Sequence, residues 1–364
     1  MAKHRFVLLD GLRGIAAVGV VLTHIAARYF PVLSGLYLLV DFFFVLSGFV
    51  LEPLMPHADE PLQPQAKKFI YKRFLRFVPM ALVVVLFRAG TCATWSVLNR
   101  PSGNFCAGTG STDYTLSLVS AVLLLQIVVH SSLVFSGALW SLSAEWFSNL
   151  VVTPLTAMKN RFVLPAALVC GQVLLIVGYL HDKSFGALFS GYPALGRALV
   201  GFVLGILIRR LYDKRQAKPS RFLMLLSCVL VMGLFMYQRT PYQGALLLAP
   251  PVFAFFVFQA ARAEALVLRP HIKQTAAYLG LMSFGVYAWH ENMRFLVAAF
   301  QSDAVLDSQA TQTAGSTLGK FVLVLMASVL ATHLTIRYVE KPIQRRWGNR
   351  YSRRSDISAT DGKM

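Results

Sequence analysis

Eleven apolar segments dominate the chain. They fall at about residues 6–27, 34–51, 77–90, 116–134, 139–158, 162–180, 193–208, 221–237, 242–260, 276–299 and 318–338. A helix needs roughly 20 apolar residues to cross the ~30 Å hydrocarbon layer of a bilayer, and most of the segments approach that length. The 364 residues are 56% hydrophobic and only 14% charged, and mean hydropathy is +0.58. A water-soluble domain needs more surface charge than that, so lipid must cover much of the chain. A membrane barrel would show short alternating strands instead of these continuous runs. The expected fold is therefore all-α, a polytopic transmembrane helix bundle occupying residues 1–340, followed by a basic tail at 341–364.

Thirty-five Lys and Arg against 16 Asp and Glu give a formal net charge of +19. The basic residues sit in short clusters between apolar segments, which reads as a topology signal and contact with anionic lipid. No nucleic-acid-binding motif accompanies them, so nucleic acid is not an expected partner. Asp10 and Arg13 lie within the first apolar segment, which speaks against a cleaved signal peptide. Cys92 and Cys106 share one polar loop and could bond if it lies outside; Cys170 and Cys228 lie within apolar segments, as packing residues. No metal-ligand spacing is present, and no metal is expected.

Basic residues favour the cytoplasmic side of short loops. That rule places the N-terminus (Lys3, Arg5), the loop from Lys67 to Arg76, the loop from Arg209 to Arg221 and the tail from Lys341 to Arg354 inside. Both ends inside require an even number of crossings, and eleven segments cannot all cross. The conflict lies between residues 77 and 138, where the third segment looks short. The expectation is ten crossings plus one half-span or re-entrant element, formed by either that third segment or 116–134.

Ionisable groups inside a span are costly and mark function or pairing. On a helix of 100° per residue, Asp10, Arg13 and His24 share one face, with His24 ~16 Å above Arg13. Asp10 and Arg13 also read as an i,i+3 pair at the interface. Asp41, in the outer half of the antiparallel second span, is expected at the depth of His24, where a carboxylate could orient the imidazole. Ser47 and Gly48 read as helix packing. Arg73 and Arg76 could clamp a phosphate or simply anchor the inner end. Glu145 opens the fifth segment between Trp140 and Trp146. Tyr287, His290, Glu291 and Arg294 crowd the tenth, Glu340 reads as a solvated helix end, and His130 and His333 as packing or interface residues.

LDGLRGIAAVGVVLTH, DFFFVLSGF, KRFLRFVP, LWSLSAEWF, SFGVYAWH and YVEKP occur in that order from end to end of the chain. Together they resemble the acyltransferase family 3 integral membrane proteins, with Ala144 a mild departure where a bulkier residue is expected. The resemblance implies an enzyme of the cytoplasmic (inner) membrane, both termini inside. It would move an acyl group, most often acetyl, from cytoplasmic acyl-CoA onto a hydroxyl of a polysaccharide or lipid-linked oligosaccharide, as exopolysaccharide and O-antigen acetyltransferases do. It implies that His24 carries acyl transfer, as general base or as nucleophile, and that Arg73 and Arg76 handle acyl-CoA. Arg13, Asp41, Glu145 and His290 match further motif positions. Some members carry a C-terminal extracytoplasmic hydrolase-like domain; this chain is expected to act without one, alone or with a partner. Ten spans with buried charges would also suit a secondary transporter or a lipid-linked sugar flippase, although no internal duplication is visible.

The topology has a direct test. Cysteine labelling or reporter fusions at Arg215 and Ser358 are expected to report both sites as cytoplasmic, and periplasmic labelling at either would overturn the parity argument.

Overall fold

The computed structural model describes residues 5–27, 29–56, 62–98, 114–129, 137–181, 191–215, 218–237, 244–264, 269–305 and 314–348. No strand occurs among them. The helices are α1 (Val7–Ala26), α2 (Leu39–Leu51), α3 (Leu62–Val97), α4 (Tyr114–Val122), α5 (Gln126–Val129), α6 (Trp140–Thr156), α7 (Val163–His181), α8 (Gly191–Lys214), α9 (Arg221–Tyr237), α10 (Ala245–Ala263), α11 (Pro270–Val305) and α12 (Ala314–Thr335). A 3-10 turn, Pro31–Leu38, leads into α2. Among the described residues, seven helical segments are long and apolar enough to cross a membrane: α1, Pro31–Leu54, α3, α7, α8, α10 and Gly315–Trp347. The apolar α9 is shorter, at 17 residues, while α6 and α11 carry Glu145 and the His290–Glu291–Arg294 group.

The uncertain region resolves in one direction. The third apolar segment lies in a helix long and apolar enough to cross a membrane. The basic stretch before it is helical too, and α3 runs unbroken for 36 residues through Pro79, ~54 Å at 1.5 Å per residue. The interruption falls in the other candidate, between α4 and α5. Leu124 takes a left-handed conformation there (φ 57), rare for a β-carbon-bearing residue. Ser143 of α6 satisfies the broken backbone: its hydroxyl donates to the Leu124 carbonyl at 2.6 Å and accepts from the Ile127 amide at 3.4 Å. Irregular backbone at membrane depth survives only where protein supplies such partners.

Small residues bring the central helices together. α2 and α8 run parallel, with Gly48 against the backbone of Phe202 and Gly205 against that of Val45. A β-carbon at either glycine would overlap a carbonyl oxygen of the neighbour. Gly48 is thus the packing residue its sequence context implies. α1 and α11 also run parallel, with Gly11 facing Ala276 and Gly14 facing Leu279. This direction is what the charge rule requires of the first and tenth segments. The start of α1 has no side-chain cap of its own. Instead Glu264, just beyond α10, accepts from the amides of Val7 and Leu8 at 2.8 and 2.7 Å, placing a carboxylate at the positive end of the helix dipole.

Past α12 the chain stays helical. A π-helical turn at Ile336–Glu340 and a second at Gln344–Gly348 flank Lys341–Ile343. The expected boundary at residue 341 therefore does not coincide with the end of a helix. Cys92 is disulfide-bonded; Cys106 and His130 lie outside the described residues. Cys170 and Cys228 are free, and His333 is exposed.

Overpacking the α2–α8 contact should be costly. Gly205→Val is expected to destabilise the bundle by about 1–3 kcal/mol or more, seen as a lower melting midpoint of detergent-solubilised protein. Exposed Gly233, whose β-carbon position is empty, should tolerate the same change.

Candidate functional site

The sequence-selected ionisable residues gather at two levels of the bundle. At the level of the basic loops, α3 contributes Arg73 and Arg76, one turn apart on a face that packs inward. Arg73 pairs with Glu145 of α6 at 2.9 Å and lies 4.3 Å over the Phe77 ring. Arg76 pairs with Glu340 at 3.1 Å and lies 4.9 Å over the ring of Phe284. Arg13 of α1 feels the charges of Arg76 and Glu145. Three guanidinium groups thus face two carboxylates, leaving net positive charge. Arg73 Nε and Glu340 Oε1 are buried without hydrogen-bond partners among the described residues. Glu340 is buried rather than the solvated helix end its position implies, because the π-helical turn carries it inward to Arg76. Asp10 pairs with Arg5 at 2.7 Å rather than with Arg13.

The second level lies eleven residues further along α1, ~16 Å at 1.5 Å per residue. There His24 Nδ1 is 2.9 Å from Glu291 Oε1. Arg294, one turn on from Glu291 along α11, holds the other carboxylate oxygen with Nη2 at 2.8 Å and Nε at 3.2 Å. His290 lies beside His24 with ring centroids 4.9 Å apart and the planes tilted by 46°. His290 Nδ1 donates to the Tyr287 carbonyl at 2.6 Å. This leaves Nε2, buried and without a hydrogen-bond partner among the described residues, 3.6 Å from Glu291 Oε1. The side chain of His24 is 40% exposed and that of His290 only 1%. His24 is therefore the imidazole that an incoming molecule can touch. Parallel packing of α1 and α11 puts residues 24 and 291 at one depth, and two hydrogen bonds fix this stretch of α11: Asn292 Nδ2 to the Val84 carbonyl at 2.8 Å and Trp289 Nε1 to Thr335 Oγ1 at 3.1 Å.

The structure places Asp41 apart from His24. Antiparallel α2 places it some seven residues below His24, beside α8. There Arg197 grips it through Nε and Nη2 at 2.7 and 2.6 Å, both side chains wholly buried. Arg197 also lies 5.4 Å over the Trp140 ring and 5.6 Å over that of Tyr37. Glu145 likewise belongs with Arg73, away from the histidines. Two partners escaped the sequence reading. Glu291 was visible as a charge in a span but went unassigned, although parallel first and tenth segments already imply its depth. Arg197 is the lone charge within GYPALGRALVGF, and an isolated arginine there needs a buried counter-ion.

His24, His290 and Glu291 offer one donor atom each within 4.8 Å of one another, a set that could hold a divalent cation. The charge balance opposes this: Glu291 is already paired with Arg294, and Arg88 lies within electrostatic range of both. The arrangement suits an imidazole oriented by a carboxylate, the pairing that prepares histidine for proton transfer.

Between the two levels lies a cavity bounded by α1, α2, α6 and α11. Arg13 and Glu145 form its charged end and Ser141 and Tyr287 its other end. Tyr287 Oη is 2.6 Å from Ser141 Oγ and donates to the Ala138 carbonyl at 3.1 Å.

The family profile described as an acyltransferase domain matches residues 6–336. The chain belongs to this acyltransferase family. Among its relatives is a Bacillus subtilis (strain 168) protein named "Putative peptidoglycan O-acetyltransferase YrhL", 23% identical over 386 residues that cover 96% of this chain and 57% of the relative. A Staphylococcus aureus (strain COL) protein named "Putative O-acetyltransferase SACOL0978" is 22% identical over 361 residues, covering 93% of this chain and 57% of that one. "Protein 2 in picA locus" from Rhizobium radiobacter is 31% identical over 163 residues, covering 42% of this chain and 81% of that protein. The chain thus spans a little over half the length of the first two relatives. No solved structure matches it.

If Asp41 and Arg197 are a structural pair, removing one partner should cost about 3–5 kcal/mol. Arg197→Met is expected to lower the melting midpoint sharply. The double variant Asp41→Leu/Arg197→Met should regain much of that loss, as measured by thermal unfolding in detergent.

Proposed function

We propose that this acyltransferase moves an acetyl group from cytoplasmic acetyl-CoA to a hydroxyl of a cell-envelope or exported polysaccharide, or of its lipid-linked precursor. The observation that carries the reading is the chain Arg294–Glu291–His24, which leaves an exposed imidazole ~16 Å along α1 from Arg13 at the arginine level. The CoA phosphates cannot enter lipid, and Arg13, Arg73 and Arg76 offer them net positive charge. The pantetheine arm then carries the thioester into the bundle. Glu291 accepts from His24 Nδ1 and holds the ring, so that Nε2 takes the proton of the acceptor hydroxyl. The hydroxyl oxygen attacks the thioester carbonyl, the C–S bond breaks, and the CoA thiolate leaves and takes up the proton held on His24. His24 is read as the base because its exposure lets an acceptor meet it directly.

Ten crossings with both termini cytoplasmic fit this reading, with α6, α9 and α11 joining the seven apolar spans. The bonded Cys92 lies in the last turns of α3, toward the face where His24 opens, in keeping with an oxidising outer compartment. The transporter and flippase readings are not favoured, since family membership covers nearly the whole chain.

The test is transfer from labelled acetyl-CoA to glycans in membranes, with variants at matched expression. His24→Ala is expected to abolish transfer without loss of folded protein. Glu291→Gln should lower kcat by about 100-fold to 10,000-fold while leaving KM for acetyl-CoA near its original value, because the donor contacts lie at the other level. Substantial transfer by His24→Ala would remove His24 from the mechanism.

A further inference from the structure

A buried hydroxyl pair near the histidines carries one proton more than its fixed partner requires. Tyr287 Oη and Ser141 Oγ are 2.6 Å apart, and both reach the Ala138 carbonyl, at 3.1 and 3.3 Å. Each hydroxyl holds one proton and can rotate it. One proton satisfies the Ala138 carbonyl, so the other, now shared within the pair, can turn to a ligand. Both side chains line the cavity.

The placement of the pair relates it to the reacting atoms. Tyr287 and Glu291 are i and i+4 on one face of α11, ~6 Å apart along the axis. The segment leading into α6 spans the same interval. A β-carbon at Gly137 would lie 3.5 Å from Glu291 Cγ, and the next residue, Ala138, receives the Tyr287 proton. The hydroxyls thus stand one turn nearer the arginine level than the carboxylate that orients His24. A base and an oxyanion donor, each ~3 Å from the reacting centre between them, stand about that far apart. Ser141 is in the first turn of α6, where the helix dipole favours negative charge. The Tyr287 ring is held edge-on to Phe43 with centroids 5.8 Å apart, and the Tyr287 carbonyl takes the His290 Nδ1 proton.

The reaction creates a need for such a donor. The acceptor oxygen bonds to the thioester carbon, its proton passes to His24, and the C=O electron pair moves onto the carbonyl oxygen. That oxyanion must be stabilised until the C=O re-forms and the thiolate leaves. At the histidine level His24 Nδ1, His290 Nδ1 and the Arg294 fork are engaged with Glu291 or the backbone. We infer that Tyr287 donates its hydroxyl proton to this oxyanion in a hydrogen bond, while Ser141 takes over the Ala138 carbonyl. The inference rests on the acyl-transfer reading above and adds the group that stabilises its transition state. The phenol is the more acidic of the two hydroxyls and the better donor to an anion.

The experiment uses the full chain in membrane vesicles that carry the native glycans and measures transfer from labelled acetyl-CoA per folded protein. Tyr287→Phe keeps the ring on Phe43 and removes only the hydroxyl. It is expected to lower kcat by about 100-fold to 1,000-fold, with KM for acetyl-CoA and the pH profile of kcat/KM unchanged, because His24 and Glu291 stay in place. Ser141→Ala should lower kcat less, by about 10-fold, since Tyr287 must then serve the Ala138 carbonyl as well. Near-normal kcat in folded Tyr287→Phe would overturn the assignment. So would a fall accompanied by a shifted pH profile, which would mean that His24 had been displaced. If Tyr287→Phe does not accumulate as folded protein, Ser141→Ala decides, and an unchanged kcat there overturns the inference while acyl transfer stands. Absence of transfer by wild type would overturn both.

Discussion

A charge surrounded by hydrocarbon must find its counter-charge inside the protein, and the interior of this bundle is arranged around that demand. Asp41 and Arg197 meet it completely, each wholly buried and joined by two hydrogen bonds. Because the pair joins α2 to α8 at a fixed point, the register of the two helices is set before any apolar contact is counted, and glycines at Gly48 and Gly205 can then bring the backbones together. The pairs Arg73–Glu145 and Arg76–Glu340 tie α3 to α6 and to the end of the α12 helix in the same manner. A catalytic group can be held at a defined depth only in a frame whose helices cannot slide.

The same demand produces two chemically different environments on one helix. Near Arg13 cations outnumber carboxylates, whereas at His24 a single carboxylate is shared between an imidazole and a guanidinium. Ten residues of α1, 14–23, mostly small or β-branched, separate them. Rigid spacing of this kind is what the proposed donor, with its charged head and reactive tip, would need to engage both levels at once, and positioning of this sort is a large part of what an enzyme contributes to a transfer reaction.

Much of the frame was legible in the residues. Apolar runs gave the helices, and basic clusters gave their directions, which the parallel α1–α11 and α2–α8 contacts match. The histidine on α1 and the polar stretch of α11 stood out because ionisable groups are rare in spans. Partner choice was not legible. Depth along a helix follows from counting residues, but which neighbour lies beside it depends on the order in which helices pack around the bundle. Asp41 was therefore matched with the wrong partner: the second segment adjoins the first in sequence, whereas its buried face is turned to α8. The length of α3 was hidden for another reason. Its first half is basic and carries no hydropathy signal, and it is helical because it continues an established helix.

The π-helical turn at Ile336–Glu340 bears on how such a sequence can change length. A π turn holds one more residue than an α turn between bonded groups, so everything beyond it is rotated by about 100° relative to an uninterrupted α-helix. Glu340 meets Arg76 only in that phase. Losing a single residue from this turn would swing the carboxylate toward the lipid and bring a different side chain to the arginine. At this point, a change in spacing by one residue is equivalent to replacing the side chain that neutralises Arg76.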